Sequence, residues 1–321
     1  MISMTTRRGF EAMVSAAGGD PNALARGLKR ETTGVGLRAL AALALSAAVS
    51  APERLIQVYD EAATGWRDEP IVATTVRPAR STAEPVSPAF WDAFWTLAEA
   101  PIHEGQDPTA FTGRVAWLAG LLSPNLPGRV AACALAYPGV RDAAAAGEPA
   151  RFDRKDLEAC PANSLGAAFL AAATAQGGSL ELLDRDALGL AHLPAPLDYV
   201  NVRILQCHEL WRIVGGYEQT ELHRMALSAF QMGQFGHHYS SLLLGVAFAV
   251  LALERSEDTI MVLDTIFSGW AHGRQSPPLL GVPWETLWHL PVETVRAQLG
   301  VKTYASRWPA DSFLRRFSQA A

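Results

Sequence analysis

YSSLLLGVAFAVLAL, residues 239–253, carries no charged side chain. Wound at 3.6 residues per turn it is apolar on every side, leaving no face for water. Such a stretch belongs either in lipid or at the centre of a helical bundle, and its length decides between them. A bilayer span needs roughly 18 to 20 apolar residues, and this run is shorter. The stretch is therefore read as the central helix of an all-α multi-helix bundle, with Gly245 permitting close approach of a neighbour. The Ala/Leu-rich run Leu40–Val49 is also too short to span and reads as a second buried helix.

Helical signals dominate on both sides of this centre. Arg38–Val49 and Glu53–Ala63 are joined by a break at Pro52, and Trp91 and Trp95 lie one turn apart in an amphipathic FWDAFWTLAEA segment. Thr112–Leu122 and Gly128–Ala136 flank an SPNLPG turn. Further on, SLGAAFLAAATAQGG and LDYVNVRILQCHELWRIVGGY each close on glycines. Glu221–Gln231, Asp258–Phe267 and Val292–Leu299 complete the helices. Residues 67–88, rich in Pro, Thr and Ser, read as an extended connection. Strand-like alternation is scarce. SAPERLIQVYDEAATGW (50–66) lies without gaps on ERSEDTIMVLDTIFSGW (254–270), a weak internal likeness that amphipathic helices also reach by chance.

The chain has 321 residues, enough for one large domain or two ordinary ones. Charged residues make up 18% against a norm of about a quarter, and 49% are hydrophobic. That balance suits a largely buried helical protein, or one that keeps apolar surface for a lipid or partner. A net charge of -5 and a pI near 5.9 speak against a nucleic-acid surface. Cys133, Cys160 and Cys207 form neither a disulfide framework nor a CxxC pair, as in a reducing compartment. The twin arginines Arg7 and Arg8 raise the question of an export signal. Glu11, Asp20, Lys29, Arg30 and Glu31 intervene before the apolar run, so a cytoplasmic location is expected. No GxGxxG after a strand, Walker loop or GxSxG elbow occurs.

One short piece carries possible chemistry. In QCHELWR, His208 is followed by Glu209, and four residues after the histidine stands Arg212. His-Glu-x-x-His would aim two imidazoles at one metal, and here the second is a permanent cation.

The second half resembles the COQ-four family of ubiquinone (coenzyme Q) biosynthesis proteins over about residues 161 to 302. Three stretches carry the resemblance in order: PANSLGAAFLAAATAQGG; YVNVRILQCHELWRIVGGY with TELHRMALSAFQMGQFG; and GWAHGRQSPPLLGVPWETLWHLPVETVRAQLGV. The resemblance implies an all-helical protein acting on polyprenylated benzoquinone precursors at membranes, linked to loss of the ring carboxylate and to holding a biosynthetic complex together. The family's presumed zinc ligands, His-Asp-x-x-His and a Glu on the next helix, fall on His208, Glu209, Arg212 and Arg224. Two of the four are arginines here, and a divalent ion beside two guanidiniums faces repulsion.

These residues support two readings of the cluster: a ligand pocket in which Arg212 and Arg224 supply the charge a metal supplies elsewhere, or an ion-pair group that joins two helices. In the first, His208, Glu209, Arg212 and Arg224 form the polar end of an apolar tunnel, without a metal cofactor. Trp211, Tyr217, His223, Phe230, Gly245, Phe248, Arg274 and Glu285 are then the ligand-binding residues, Arg274 for a phosphate or carboxylate head group and Glu285 to position it. A zinc enzyme with rearranged ligands (His208, Glu221, His223) and a non-catalytic scaffold remain as alternatives. The expected partners are a prenyl quinone precursor or similar isoprenoid lipid, the membrane surface, other quinone-biosynthesis proteins and a second copy of the chain. The expected division is a helical N-terminal extension over 1–105, a family-like domain over 106–305 and a tail over 306–321.

Overall fold

A computed structural model describes residues 2–71, 83–99, 108–186, 188, 190–254 and 258–312. Among them the regular structure is helical, with one isolated bridge between Ser164 and Pro291 and no strand. The helices are α1 (Met4–Ala16), α2 (Pro21–Arg30), α3 (Gly34–Val49), α4 (Leu55–Arg67), α5 (Pro88–Ala98), α6 (Pro108–Ala119), α7 (Leu126–Ala134) and α8 (Val140–Ala144). There follow α9 (Arg154–Glu158), α10 (Leu165–Ala175), α11 (Leu197–Gly215), α12 (Glu221–Phe235), α13 (His238–Glu254), α14 (Thr259–Gln275) and α15 (Val292–Leu299).

Local chemistry sets most of their ends. The side chains of Asp20, Thr33, Ser87, Ser164 and Thr220 each accept the backbone N–H three residues on. Each such cap contributes about 1 kcal/mol. Gly216 and Gly236, at φ 76° and 67°, turn the chain out of α11 and α12. The sequence reading overlooks α1 and α2, although Asp20-Pro21 places a capping carboxylate and a proline where a helix begins. It also stops α14 at Phe267, whereas the helix continues through Gly269 and Gly273 to Gln275. Glycine is a poor helix former, but a Cβ at either position would collide with the carbonyl oxygen of Ala226 or Phe230 on α12. Close packing, not propensity, selects it there.

The apolar helix α13 packs on α3, α12 and α14, with α5 and α6 also against it, so its central position is as expected. Its Gly245 lets the backbones approach, a Cβ there lying 3.3 Å from the Leu45 Cα. One continuous apolar core runs from Phe10 on α1 to Tyr304 after α15. The N-terminal helices are part of it: α3 packs on α13 and α4 on α14. Half of the connection expected at 67–88, residues 72–82, lies outside the described residues, as does most of the tail expected at 306–321. Among the described residues no helix is long and apolar enough to cross a membrane.

Candidate functional site

His208 and Glu209 are neighbours on α11 with Arg212 one turn further on, and α12 brings Gln231 and Arg224 towards them. His208 Nδ1 is 3.0 Å from the Gln231 amide nitrogen, which donates to it. Burial lowers the pKa of the imidazole; Glu209 opposes this, and Arg212 and Arg224 add to it. The ring is therefore neutral at pH 7 with its proton on Nε2. The four residues named from the sequence do act on one another.

Their charges cancel, however. Arg212 Nε donates to Glu209 Oε2 at 2.7 Å, and its guanidinium also donates to the Tyr217 carbonyl at 3.0 Å. That second bond ties down the C-terminal end of α11, where a cation is favoured by the helix dipole. Arg224 is more than half exposed and pairs with Glu221, one turn back on its own helix, at 2.8 Å. Each arginine is thus matched by a carboxylate of its own helix. Nor do the residues present fit a zinc ion. Among the described residues no three His, Cys, Asp or Glu side chains gather as a metal cage. His223, proposed for the rearranged set, is buried and accepts the Glu218 backbone N–H through Nδ1 at 2.8 Å.

A second group lies behind Arg212. The Tyr217 hydroxyl donates to His272 Nδ1 at 2.6 Å, and His272 Nε2 donates to the Lys302 carbonyl at 2.8 Å. Burial raises the Tyr217 pKa well above the phenolic range and lowers that of His272, so both are neutral. Tyr304 stacks on Tyr217, and His223 and Phe230 pack edge-on to Tyr217. His272 and Tyr304 are missing from the sequence reading, and only the position of His272 inside GWAHGRQ could have signalled it.

The other expected ligand-binding residues are dispersed. Trp211 is fully buried against Phe235, and its indole N–H has no acceptor among the described residues. Gly245 and Phe248 lie on α13, where Phe248 is buried and Gly245 meets α3. Arg274 is buried and donates to Asp60 of α4 at 3.1 and 3.3 Å. Glu285 is exposed.

Two cavities, of about 610 and 430 Å³, flank α7. The first is lined by α3, the start of α4, α7 and the α12–α13 turn, including Ala47, Ile56, Cys133 and Tyr137. The second is lined by Leu122, Leu126, Leu197, Val200, Asn201 and His237, among others. Val130, Gly236 and His238 line both. His208, Glu209, Arg212 and Arg224 line neither. Asn201 sits two turns before His208 on the same side of α11, and His208 is close enough to lower the pKa of His237.

Comparison with known proteins places this geometry. Residues 148–305 match the model of the family described as coenzyme Q (ubiquinone) biosynthesis protein Coq4. The crystal structure of a candidate ubiquinone biosynthesis protein from Nostoc punctiforme PCC 73102 superposes with a TM-score of 0.50 at 19% identity, covering 67% of this chain and 97% of that one. No curated protein matches. The match takes in α9 to α15, and with them the whole His208 cluster. Over residues 148–305 the chain is similar to the Coq4 family.

Proposed function

We propose that the protein serves ubiquinone biosynthesis by binding a polyprenylated benzoquinone precursor, the prenyl chain lying in the two cavities beside α7. The carrying observation is their joint lining. Both are mainly apolar, both fall in the size range of small-molecule sites, and they share Val130, Gly236 and His238. Asn201 and His237 supply polar groups at the end nearer His208, suited to a ring oxygen. The family match and the Nostoc neighbour support the pathway. The role assigned is binding, without a metal. The paired state of Arg212 and Arg224 supports that reading, because neither guanidinium is left uncommitted for a ring carboxylate.

The test is calorimetric titration of the full chain with a short-chain prenylated benzoquinone. Val130→Trp fills the place where the cavities meet, and the expected result is at least about a tenfold loss of affinity. Circular dichroism checks that the variant remains helical. Equal affinity in wild type and variant, or no binding by the wild type, refutes the assignment.

A further inference from the structure

The internal likeness between residues 50–66 and 254–270 is repeated in three dimensions. The helices α3 and α13 begin at Gly34 and His238, and α4 and α14 begin at Leu55 and Thr259; the separation is 204 residues both times. The preceding helices, α2 and α12, keep the same separation where they are crossed. A Cβ on Gly65 would lie 2.9 Å from the carbonyl carbon of Asn22, and a Cβ on Gly269 would lie 2.9 Å from that of Ala226. Gly65 and Gly269, and likewise Asn22 and Ala226, are again 204 residues apart. Within each set the same helices touch: α2 with α3 and α4, and α12 with α13 and α14.

The two sets meet reciprocally. Trp66 Nε1 donates to Asp264 Oδ1 at 2.9 Å, and Trp270 Nε1 donates to Asp60 Oδ1 at 2.8 Å. Asp60 and Asp264 are equivalent at the same separation, as are Trp66 and Trp270. Residue i of one set thus bonds residue j of the other, and j of the first bonds i of the second. That is the contact rule of a two-fold interface between identical units. Each aspartate also holds an arginine at 3.1 Å, Arg274 on Asp60 and Arg307 on Asp264. The central helices agree: His238, at the start of α13, bonds the Ala48 carbonyl near the end of α3, so this pair runs antiparallel across the axis.

We infer that α2–α4 and α12–α14 are two copies of one three-helix unit joined by an approximate two-fold axis, and that the N-terminal copy is the built-in partner of the Coq4-like copy. The surface formed by α13 and α14 is a self-recognition surface, and its occupant is this chain's own α3 and α4. The copies have diverged in chemistry. Positions equivalent to His223, Arg224 and Gln231 are Gly19, Asp20 and Gly27. One copy carries the candidate site; the other completes the core. Arg274, expected from sequence to meet a ligand, is thereby accounted for as part of the axis.

Two thermodynamic cycles on the full chain test this. One combines Trp66→Phe with Asp264→Asn, the other Trp270→Phe with Asp60→Asn, each followed by urea unfolding. An indole–carboxylate bond contributes about a tenfold factor or more to the folding equilibrium, and both cycles should give a coupling of that order, equal within about threefold. Amide exchange adds a second readout. Asp60→Asn should raise exchange in α14, and Asp264→Asn should raise it equally in α4. Coupling in one cycle and none in the other overturns the inference, as does exchange that changes only in the substituted helix. Should Trp270→Phe fail to fold, the two asparagine variants and their exchange profiles still decide.

Discussion

Acidification probes the burial of His237. This residue immediately precedes α13, is 9% exposed and has Nδ1 2.8 Å from Ser240 Oγ. Burial, followed by the nearby His238 and His208, pushes its pKa from 6.5 down to about 3. Between these values the unfolded chain binds a proton that the folded chain does not, so stability is full above pH 6.5 and falls as the pH drops. The slope is about 1.4 kcal/mol per pH unit, giving a loss of about 2.7 kcal/mol by about pH 4.5 from this residue alone. His237→Asn removes the titration and keeps a side chain suited to the start of a helix. Urea unfolding of wild type and variant at about pH 7 and about pH 4.5 isolates the contribution, since His208, His223, His238 and His272, also held low by burial, are common to both. The variant should lose about 2.7 kcal/mol less than the wild type on acidification. Equal losses refute a neutral, buried His237, and with it the packing of the α12–α13 turn between the two cavities.

Two further outcomes follow from paired charges. Arg129 donates to both oxygens of the buried Glu53, at 2.8 and 2.7 Å, on the wall of the larger cavity. Arg129→Met alone should cost about 3–5 kcal/mol in chemical denaturation, and adding Glu53→Leu should restore most of it. At His208, Arg212→Gln should raise the imidazole pKa and Glu209→Gln should lower it, because the removed charges act in those directions. An NMR titration of the ring protons in which neither variant shifts the midpoint would place these charges too far from the histidine.

The architecture was legible where burial writes it into the residues. An uncharged run at 239–253 admits few places in a globular chain, and α13 occupies the central one. Helix ends were less legible, because Gly269 and Gly273 look like stops until α12 is seen lying against them. The first two helices were missed because their apolar residues are few, with only Phe10 and Val14 buried on α1 and Pro21, Ala25 and Leu28 on α2. Residue identity located the His208 cluster, since spacing on α11 places His208, Glu209 and Arg212 within reach of one another. It did not give their charge state. Whether a guanidinium faces a ligand or its own helix depends on rotamers, and a glutamate at i−3 satisfies Arg212 as well as Arg224.

The likeness of 50–66 to 254–270 shows a different limit. In sequence it amounts to scattered identities in two amphipathic helices, and chance supplies as many. Its weight comes from which identities they are. Asp60, Gly65 and Trp66 recur as Asp264, Gly269 and Trp270, and each is used at a contact: a hydrogen bond across the axis, a backbone crossing within the unit, an indole on the opposite carboxylate. A drifting repeat can exchange Tyr59 for Leu263 or Ala63 for Phe267, because apolar volume can be shared among neighbours. It cannot exchange a glycine that a carbonyl oxygen presses against, or one member of a reciprocal Trp–Asp pair, without losing both the bond and the fit. Among the identities that persist, the aspartate and tryptophan are therefore those an interface between copies would hold fixed and the glycine one that the crossing within each unit requires, and the N-terminal helices serve the Coq4-like region as its other half.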